Sequence, residues 1–538
     1  MNSPLRPPIP AILPANAPFT PEQHAWLNGL FAGLIEGGSS ALSAEEIAAL
    51  GLEMPAPDVA ADDGAPWHDQ TLPLAERMKL AEGRPLRRKM MAAMGQQDCG
   101  QCGYNCEDYA NALFGKKEER LNLCVPGGKE TARMLKTLYQ EFGAEPAVAP
   151  KVAEHPAPKA APKSAPATPA RVSRDKPTEA TFLSRTRLNK PGSDKETWHI
   201  EFDLAGSSIE YAVGDSFGLF PSNDPGLVDA IITALRAPPD FPIGGRPFRD
   251  VLLDSVSLSP APDMLFQLFS YITGGDRRQK AKALAAGEDP DGDAATLDVL
   301  AAIEKFDGVR PDPEALIESL DGLQPRLYSI SSSPKVHRDR IALTVDAVRY
   351  EAGGRKRLGV ASNFLGSRIK PGDKIKVYVQ KAQAFGLPAN PSVPVIMVGP
   401  GTGIAPFRAF LYERMATKAP GQNWLFYGHQ HHDCDFFYED ELAGMKAAGV
   451  LTRLSLAWSR DGAEKFYVQD RMRQAGREVW QNIAEGAHVY VCGAITMGRD
   501  VERALVDIVA THSARSAGEA AAFVADVKKS GRYQTDVY

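Results

Sequence analysis

The chain has 538 residues, with 61 Lys and Arg against 67 Asp and Glu, for a formal net charge of −6. That modest acidity leaves no basic footprint for nucleic acid or an anionic membrane, and 43% hydrophobic with 24% charged residues excludes wholesale disorder. No apolar run approaches the roughly 18 residues a bilayer span needs, and the proline-laden start MNSPLRPPIPAILPANAPF is unlike a signal-peptide core. A cytoplasmic protein of three or four folding units is expected, at roughly 150 residues per unit.

Residues 20–50 read as helical, with apolar residues at 26, 27, 30, 31, 34 and 35 on one face. Residues 1–60 are therefore expected to be a helical docking segment. Residues 85–142 read as a compact segment around four cysteines and end in the amphipathic stretch TARMLKTLYQEF. From 144 to 171 there are ten alanines and seven prolines but no Leu, Ile, Phe, Tyr or Trp. Such a stretch cannot bury a core and is expected to be an extended tether, running to about 178, that lets the parts on either side move. Strand-like runs follow in TFLSRTRLN, around Trp198–Leu204 and in SFGLFPSN, then a largely helical block over about 224–320. Strands return in RLYSISSS, IALTVDAVRY and DKIKVYVQ. From about 391 strand and helix alternate, which predicts a parallel sheet covered by helices.

The cysteines form the sharpest motif. Cys99, Cys102, Cys106 and Cys124 stand at C-x2-C-x3-C-x17-C. Three thiolates within eight residues can wrap one side of a metal centre and a distant fourth can close it. Structural zinc usually takes two separated C-x2-C pairs, whereas a tight triplet plus a remote fourth is the iron–sulfur habit. The spacing favours a [4Fe–4S] cluster, with zinc as the alternative. Over about 30 residues the segment also resembles the iron–sulfur domain of Rnf-type electron-transport B subunits, on the pattern CGQCGY…C…CVPGG.

Further along, RLYSISSS offers an arginine for a pyrophosphate and a tyrosine and Ser329 for a flavin ring. GVASNFL opens a helix whose N–H groups suit phosphate. MVGPGTGIAPFRAF follows an apolar strand, so Gly401, Thr402 and Gly403 would let a dinucleotide approach the helix N-terminus. In AWSRDGAEKFYVQD, residues Ser459, Arg460, Lys465, Tyr467 and Gln469 supply charge and donors for a 2′-phosphate, which predicts NADPH rather than NADH. Cys492 ends the apolar strand VYVCGA, and Tyr538 is an aromatic able to cover a flavin. Cys434 and the nearby His429, His431 and His432 read as a polar loop rather than a metal site.

From about 178 to 538, RLYSISSS, GPGTGIAPFRAF, NWLFYG, LAWSRD…KFYVQD, GAHVYVCGA and RYQTDVY resemble the ferredoxin–NADP reductase-like module of diflavin reductases, above all the NADPH–sulfite reductase flavoprotein (alpha) subunits. The resemblance implies an antiparallel β-barrel FAD domain over 179–390 with a helical connecting insertion, and an α/β parallel-sheet NADPH domain over 391–538. It implies that Arg326 and Tyr328 bind FAD, that Tyr350 contacts its adenine, and that Gly359, Val360, Ala361 and Ser362 hold its diphosphate. Ser329, Cys492 and Asp536 correspond to the hydride-transfer trio, with Tyr538 stacked on the flavin. Two departures stand out. Gly386 replaces the family's basic residue, and CGAITMGRDV shortens a loop that normally carries an Asp after glycine and changes the setting of Asp500.

No flavodoxin-like FMN domain precedes the module, and the cysteine segment takes its place. The expected relay is NADPH to FAD to [4Fe–4S] to a sirohaem-containing sulfite reductase hemoprotein subunit, with the tether letting the cluster domain visit FAD and then its partner. Nitrite or nitrate reductase, or a ferredoxin-like carrier, is an alternative acceptor. A non-catalytic assembly subunit is the reading from another class.

Overall fold

Alternating burial along the segments after residue 178 builds one antiparallel sheet. The computed structural model describes residues 65–144 and 172–538; the expected N-terminal docking helix and most of the Ala/Pro-rich stretch lie outside them. β1 (Thr178–Arg187), β2 (Thr197–Asp203) and β3 (Ser216–Leu219) begin the sheet. On β2, Ile200 and Phe202 turn inward while their neighbours stay half-buried, the period-2 pattern of a one-sided strand.

The chain then leaves the sheet for six helices: Pro225–Leu235, Phe248–Asp254, Asp263–Ile272, Gly275–Ala286, Val299–Lys305 and Pro313–Glu318. A tiny hairpin of β4 (Pro242–Ile243) and β5 (Arg246–Pro247) interrupts them. Asp224 starts the first helix by accepting from the Leu227 N–H, with Pro225 in the first turn. These helices bury their own core around Ile231, Phe248, Leu265, Phe269 and Phe306.

β6 (Arg326–Ser329) returns to the sheet and is followed by β7 (Arg340–Asp346), the β8 (Arg349–Ala352) and β9 (Arg355–Leu358) hairpin, and β10 (Lys374–Gln380). The order is β6-β3-β10-β1-β2-β7, and Ile330, just past β6, bridges Leu343 on β7. The two outer strands are thereby drawn together.

The parallel sheet forms from β11 (Val395–Val398), β12 (Asn423–His429), β13 (Arg453–Trp458), β14 (His488–Gly493) and β15 (Tyr533–Val537) in the order β13-β12-β11-β14-β15. All four residues of β11 are buried, as a parallel strand covered on both faces requires. The chain runs from β11 outward to β13 and then crosses to β14, so the order reverses between β11 and β14. Open sheets bind ligands outside the carboxyl ends of strands at such a point.

The cysteine segment folds as four helices: Leu74–Leu80, Leu86–Ala93, Cys106–Phe114 and Gly128–Ala144. It begins before residue 85, because Trp67 is wholly buried under the Arg88 guanidinium, 5.1 Å from its ring. Its polar side chains engage the reductase part at several points. Arg133 pairs with Asp263 at 3.0 Å, Asn122 donates to Asp321 at 2.6 Å, and Gln70 donates to Thr535 at 3.0 Å. The free movement expected from the tether is thus not the state seen, in which the segment is seated against insertion and sheets alike.

Candidate functional site

β6 ends at Ser329 and β15 carries Asp536. Ser329 Oγ donates to Asp536 Oδ2 at 2.6 Å across 207 residues of sequence. On β14, Cys492 stands in register with Asp536, and its Sγ lies 3.7 Å from the same oxygen. The three residues expected to form a trio converge at the meeting of the two sheets. Burial pushes the Asp536 carboxyl up, against the opposing pull of the Ser329 hydroxyl and the thiol. Burial, followed by the adjoining Asp536 charge, pushes the Cys492 thiol well up, so the sulfur is a neutral donor rather than a nucleophile. Tyr538 closes this corner. Its N–H donates to Gly493 O at 3.0 Å, and its hydroxyl shares a 2.8 Å hydrogen bond with Thr402. The ring remains 55% exposed.

Around Thr402 the glycines are dictated by the protein's own backbone. A Cβ on Gly399 would lie 2.4 Å from Gly403 O, and one on Gly403 would lie 2.1 Å from Cys492 O. Gly401 takes φ +57°, which glycine adopts without strain. The loop thereby nests against the end of β14 and leads into the helix Ala405–Ala416.

Following β13, Ser459 is fixed by its N–H to His429 O at 2.9 Å, and Arg460 pairs with Asp194 at 3.0 Å. Lys465 is exposed, Tyr467 precedes the helix Val468–Gln474, and Gln469 Oε1 is buried with no hydrogen-bond partner among the described residues. An amide oxygen left unpaired is suited to a ligand donor. Gly386 has open space where a side chain would go.

On the antiparallel sheet, Arg326 and Tyr328 project from β6. Arg326 Nη1 is buried with no hydrogen-bond partner among the described residues, and burial lowers the affinity of its guanidinium for the proton. An unpaired buried guanidinium is costly unless an anion meets it, so this residue fits a diphosphate. Ser362 Oγ accepts from the Val348 N–H at 3.1 Å. A Cβ on Gly359 would lie 2.7 Å from Ser362 Oγ, and Ala361 packs into the sheet core. The Gly359–Ser362 turn, with Val360 half-buried, therefore presents backbone rather than side chains. Tyr350, 52% exposed, faces Arg357 across the β8–β9 hairpin.

The cysteines line one pocket, with Tyr104, Tyr109 and Pro126 among its walls. The Gly95 N–H points at Cys124 Sγ from 3.3 Å, and backbone groups of Gln101 and Asp98 bond Cys99 and Cys106. Burial pushes all four thiols up. Left alone they stay neutral, and a metal would bind them only as thiolates. Amide donors aimed at sulfur are what a buried cluster uses to tune its ligands, and the donor set fits a four-thiolate group. Among the described residues, no group of three or more His, Cys, Asp or Glu is arranged to hold a metal ion. That includes the four cysteines as they stand, which share a pocket without forming a ligand group, and the His429 region, where His429 pairs with Asp435 and His431 with Asp461.

Sequence motifs flagged no role for Arg408, although it lies within the quoted PFRAF. Buried, it donates to Ser331 O at 2.8 Å and to Glu441 at 2.8 Å, between the rings of Tyr412 and Tyr438. Tyr438 in turn bonds Thr344 at 2.7 Å and His199 at 3.1 Å. This clasp holds the two sheets in the pose that joins Ser329 to Asp536. Among the described residues no helix is long and apolar enough to cross a membrane.

Comparison with known proteins bears on the same residues. The FAD binding domain family matches residues 170–244 and 249–364, and the oxidoreductase NAD-binding domain family matches 397–503. Sulfite reductase [NADPH] flavoprotein alpha-components of Escherichia coli O157:H7 and of strain K12 are each 40% identical over 377 residues, covering 68% of this chain and 61% of theirs. That of Shigella dysenteriae serotype 1 is 39% identical over 376 residues, with the same coverage. The chain thus spans about three fifths of the length of these relatives. It carries a region matching the FAD binding domain family and one matching the oxidoreductase NAD-binding domain family, and over about two thirds of its length it is similar to sulfite reductase flavoprotein alpha-components.

Proposed function

We propose that the protein is an NADPH-dependent flavoprotein reductase whose one-electron exit is a [4Fe–4S] cluster, delivering electrons to a sirohaem-containing sulfite reductase subunit. The observation that carries the NADPH–flavin part is the Ser329–Asp536 hydrogen bond, which ties the last residue of the flavin strand to the strand beside Cys492.

Bound flavin accepts a hydride and releases electrons singly, and a cluster takes them one at a time. The chain's own residues prepare that exchange. Arg326 meets the diphosphate charge, and the Gly359–Ser362 backbone supplies N–H donors. Ile330 bridging Leu343 supports reading the antiparallel sheet as a closed barrel around this cofactor. Gly401, Thr402 and Gly403 admit the nucleotide diphosphate, and Ser459, Arg460, Lys465, Tyr467 and Gln469 receive the 2′-phosphate end. Tyr538, tied to Thr402 and Gly493, would cover a bound flavin ring and would have to swing aside for a nicotinamide to stack there. Ser329 donates to Asp536, which would place a carboxyl group beside the reacting groups, while the neutral Cys492 thiol fills the corner. The four cysteines line one pocket, and their tight triplet with a remote fourth suits a four-iron core better than a single zinc.

Purified without oxygen, the protein is expected to carry one FAD and about four irons per chain. Cys99→Ser should abolish electron delivery while sparing NADPH-driven flavin reduction. Zinc without iron would sink the cluster reading, and failure of NADPH to bleach the flavin would sink the reductase reading. Reduction of sulfite with an added sirohaem subunit, against nitrite with its counterpart, decides the acceptor.

A further inference from the structure

We propose that the Cys99–Cys102 loop receives electrons where it is docked, through the strands that carry the flavin residues, with no excursion of the cysteine segment. This rests on the reading above of a flavin at Arg326 and Tyr328 and a cluster at the four cysteines.

Gln101, between two of those cysteines, is 7% exposed, and its Nε2 donates to Pro325 O at 2.7 Å. Pro325 is bonded directly to Arg326. Beside it, Gly100 takes φ +64°, and a Cβ there would lie 2.5 Å from Gln380 Nε2. The loop therefore bears directly on β10, which pairs with β3, which pairs with β6. Two residues back on β10, Tyr378 is 1% exposed, and its hydroxyl has no partner among the described residues.

The junction between the cysteine loop and the flavin strands is thus a contact of protein on protein through buried side chains. Asn122 bonded to Asp321 and Arg133 to Asp263 hold it in place. The buried hydrogen bond from Gln101 to a main-chain carbonyl adds to these contacts in favouring the docked pose. Each NADPH yields two electrons and a proton when its hydride is spent. The electrons cross this junction singly, an external one-electron acceptor of haem or iron–sulfur type reoxidises the cluster between them, and the proton passes to solvent.

The test fixes the docked pose in the full-length holoprotein. Asn122→Cys and Asp321→Cys, joined by a short bifunctional thiol reagent, tether the segment where it sits. Iron content, flavin bleaching by NADPH and the rate of cluster reduction are followed in one sample, with amide hydrogen exchange over Arg326–Ser329 as a readout independent of turnover. The linked protein should reduce its cluster within twofold of the parent rate. Gln101→Glu, which sets a carboxylate against the Pro325 carbonyl, should slow that step at least tenfold and raise exchange over Arg326–Ser329 while flavin bleaching is unchanged. A tenfold loss in the linked protein, or a Gln101→Glu protein with the parent's rate and exchange, overturns the inference. Absence of iron or of flavin bleaching in the parent overturns the underlying reading instead.

Discussion

Gly403→Ala adds one methyl group at the point where the nucleotide loop touches β14. The new carbon would lie 2.1 Å from Cys492 O and 2.8 Å from its carbonyl carbon. Both are main-chain atoms of a strand paired on both sides, so neither can rotate away as a side chain could. Reaching ordinary contact near 3.4 Å requires the loop to retreat by roughly 1.3 Å, the difference between 3.4 and 2.1. Overpacking of this kind costs about 1–3 kcal/mol, and displacement by about 1 Å can cost on the order of a hundredfold in rate. The variant should therefore lose about 1–3 kcal/mol in denaturant unfolding. Its KM for NADPH in dye reduction should rise about 10- to 100-fold. Its FAD content should not change, because Arg326 and Gly359 stand on the other sheet. Gly518→Ala makes the same chemical change in the helix Ala517–Lys529, with open space around it, and should stabilise by up to about 1 kcal/mol. A Gly403→Ala protein with the parent's KM and unfolding midpoint would refute the steric argument.

Arg326→Met carries two effects of opposite sign. It removes a buried guanidinium with an unpaired nitrogen, so the FAD-free protein should melt higher, while FAD retention should weaken about 10- to 150-fold from the loss of a charge-assisted bond of about 1.5–3 kcal/mol. Differential scanning with and without added FAD reads both. Asp536→Asn keeps the shape but not the charge beside Ser329, so kcat for NADPH-driven flavin reduction should fall about tenfold or more with KM little changed, as stopped-flow measurement would show. His199, held by burial at a pKa of about 4 and bonded to Tyr438, is neutral in the folded protein. The unfolded ring takes a proton below about pH 6.5. Stability is therefore full above that value and declines as pH falls toward 4, by up to about 3 kcal/mol. His199→Gln should flatten that decline in urea titrations at pH 7 and pH 4.5.

Local pattern made much of this molecule legible. The alternation of Ile200 and Phe202, the apolar run Val395–Val398 and the Asp224–Pro225 helix start each carry their structure within a few residues. The trio of Ser329, Cys492 and Asp536 was reachable because each sits in a long motif of its own. Pairings between distant polar side chains were not. Gln101 and Pro325 are 224 residues apart, and Arg408 and Ser331 are 77 apart. A single glutamine or arginine carries no periodicity to announce its partner. Trp67 was missed for a related reason: its burial comes from Arg88, a residue that hydropathy reads as exposed. The Ala/Pro composition of 144–171 says what the stretch cannot bury, but not where the segment before it comes to rest.

The glycine loop after β11 also bears on how such a protein can be retooled. Gly399 and Gly403 are excluded from change by contacts with Phe407, Cys492 and each other, whichever nucleotide the loop meets. Selection on cofactor preference has no purchase there, whereas the exposed turn bearing Arg460 and Lys465 can exchange residues without disturbing any core. A lineage could thus pass between the two nicotinamide coenzymes through surface substitutions alone, its glycine signature unaltered throughout.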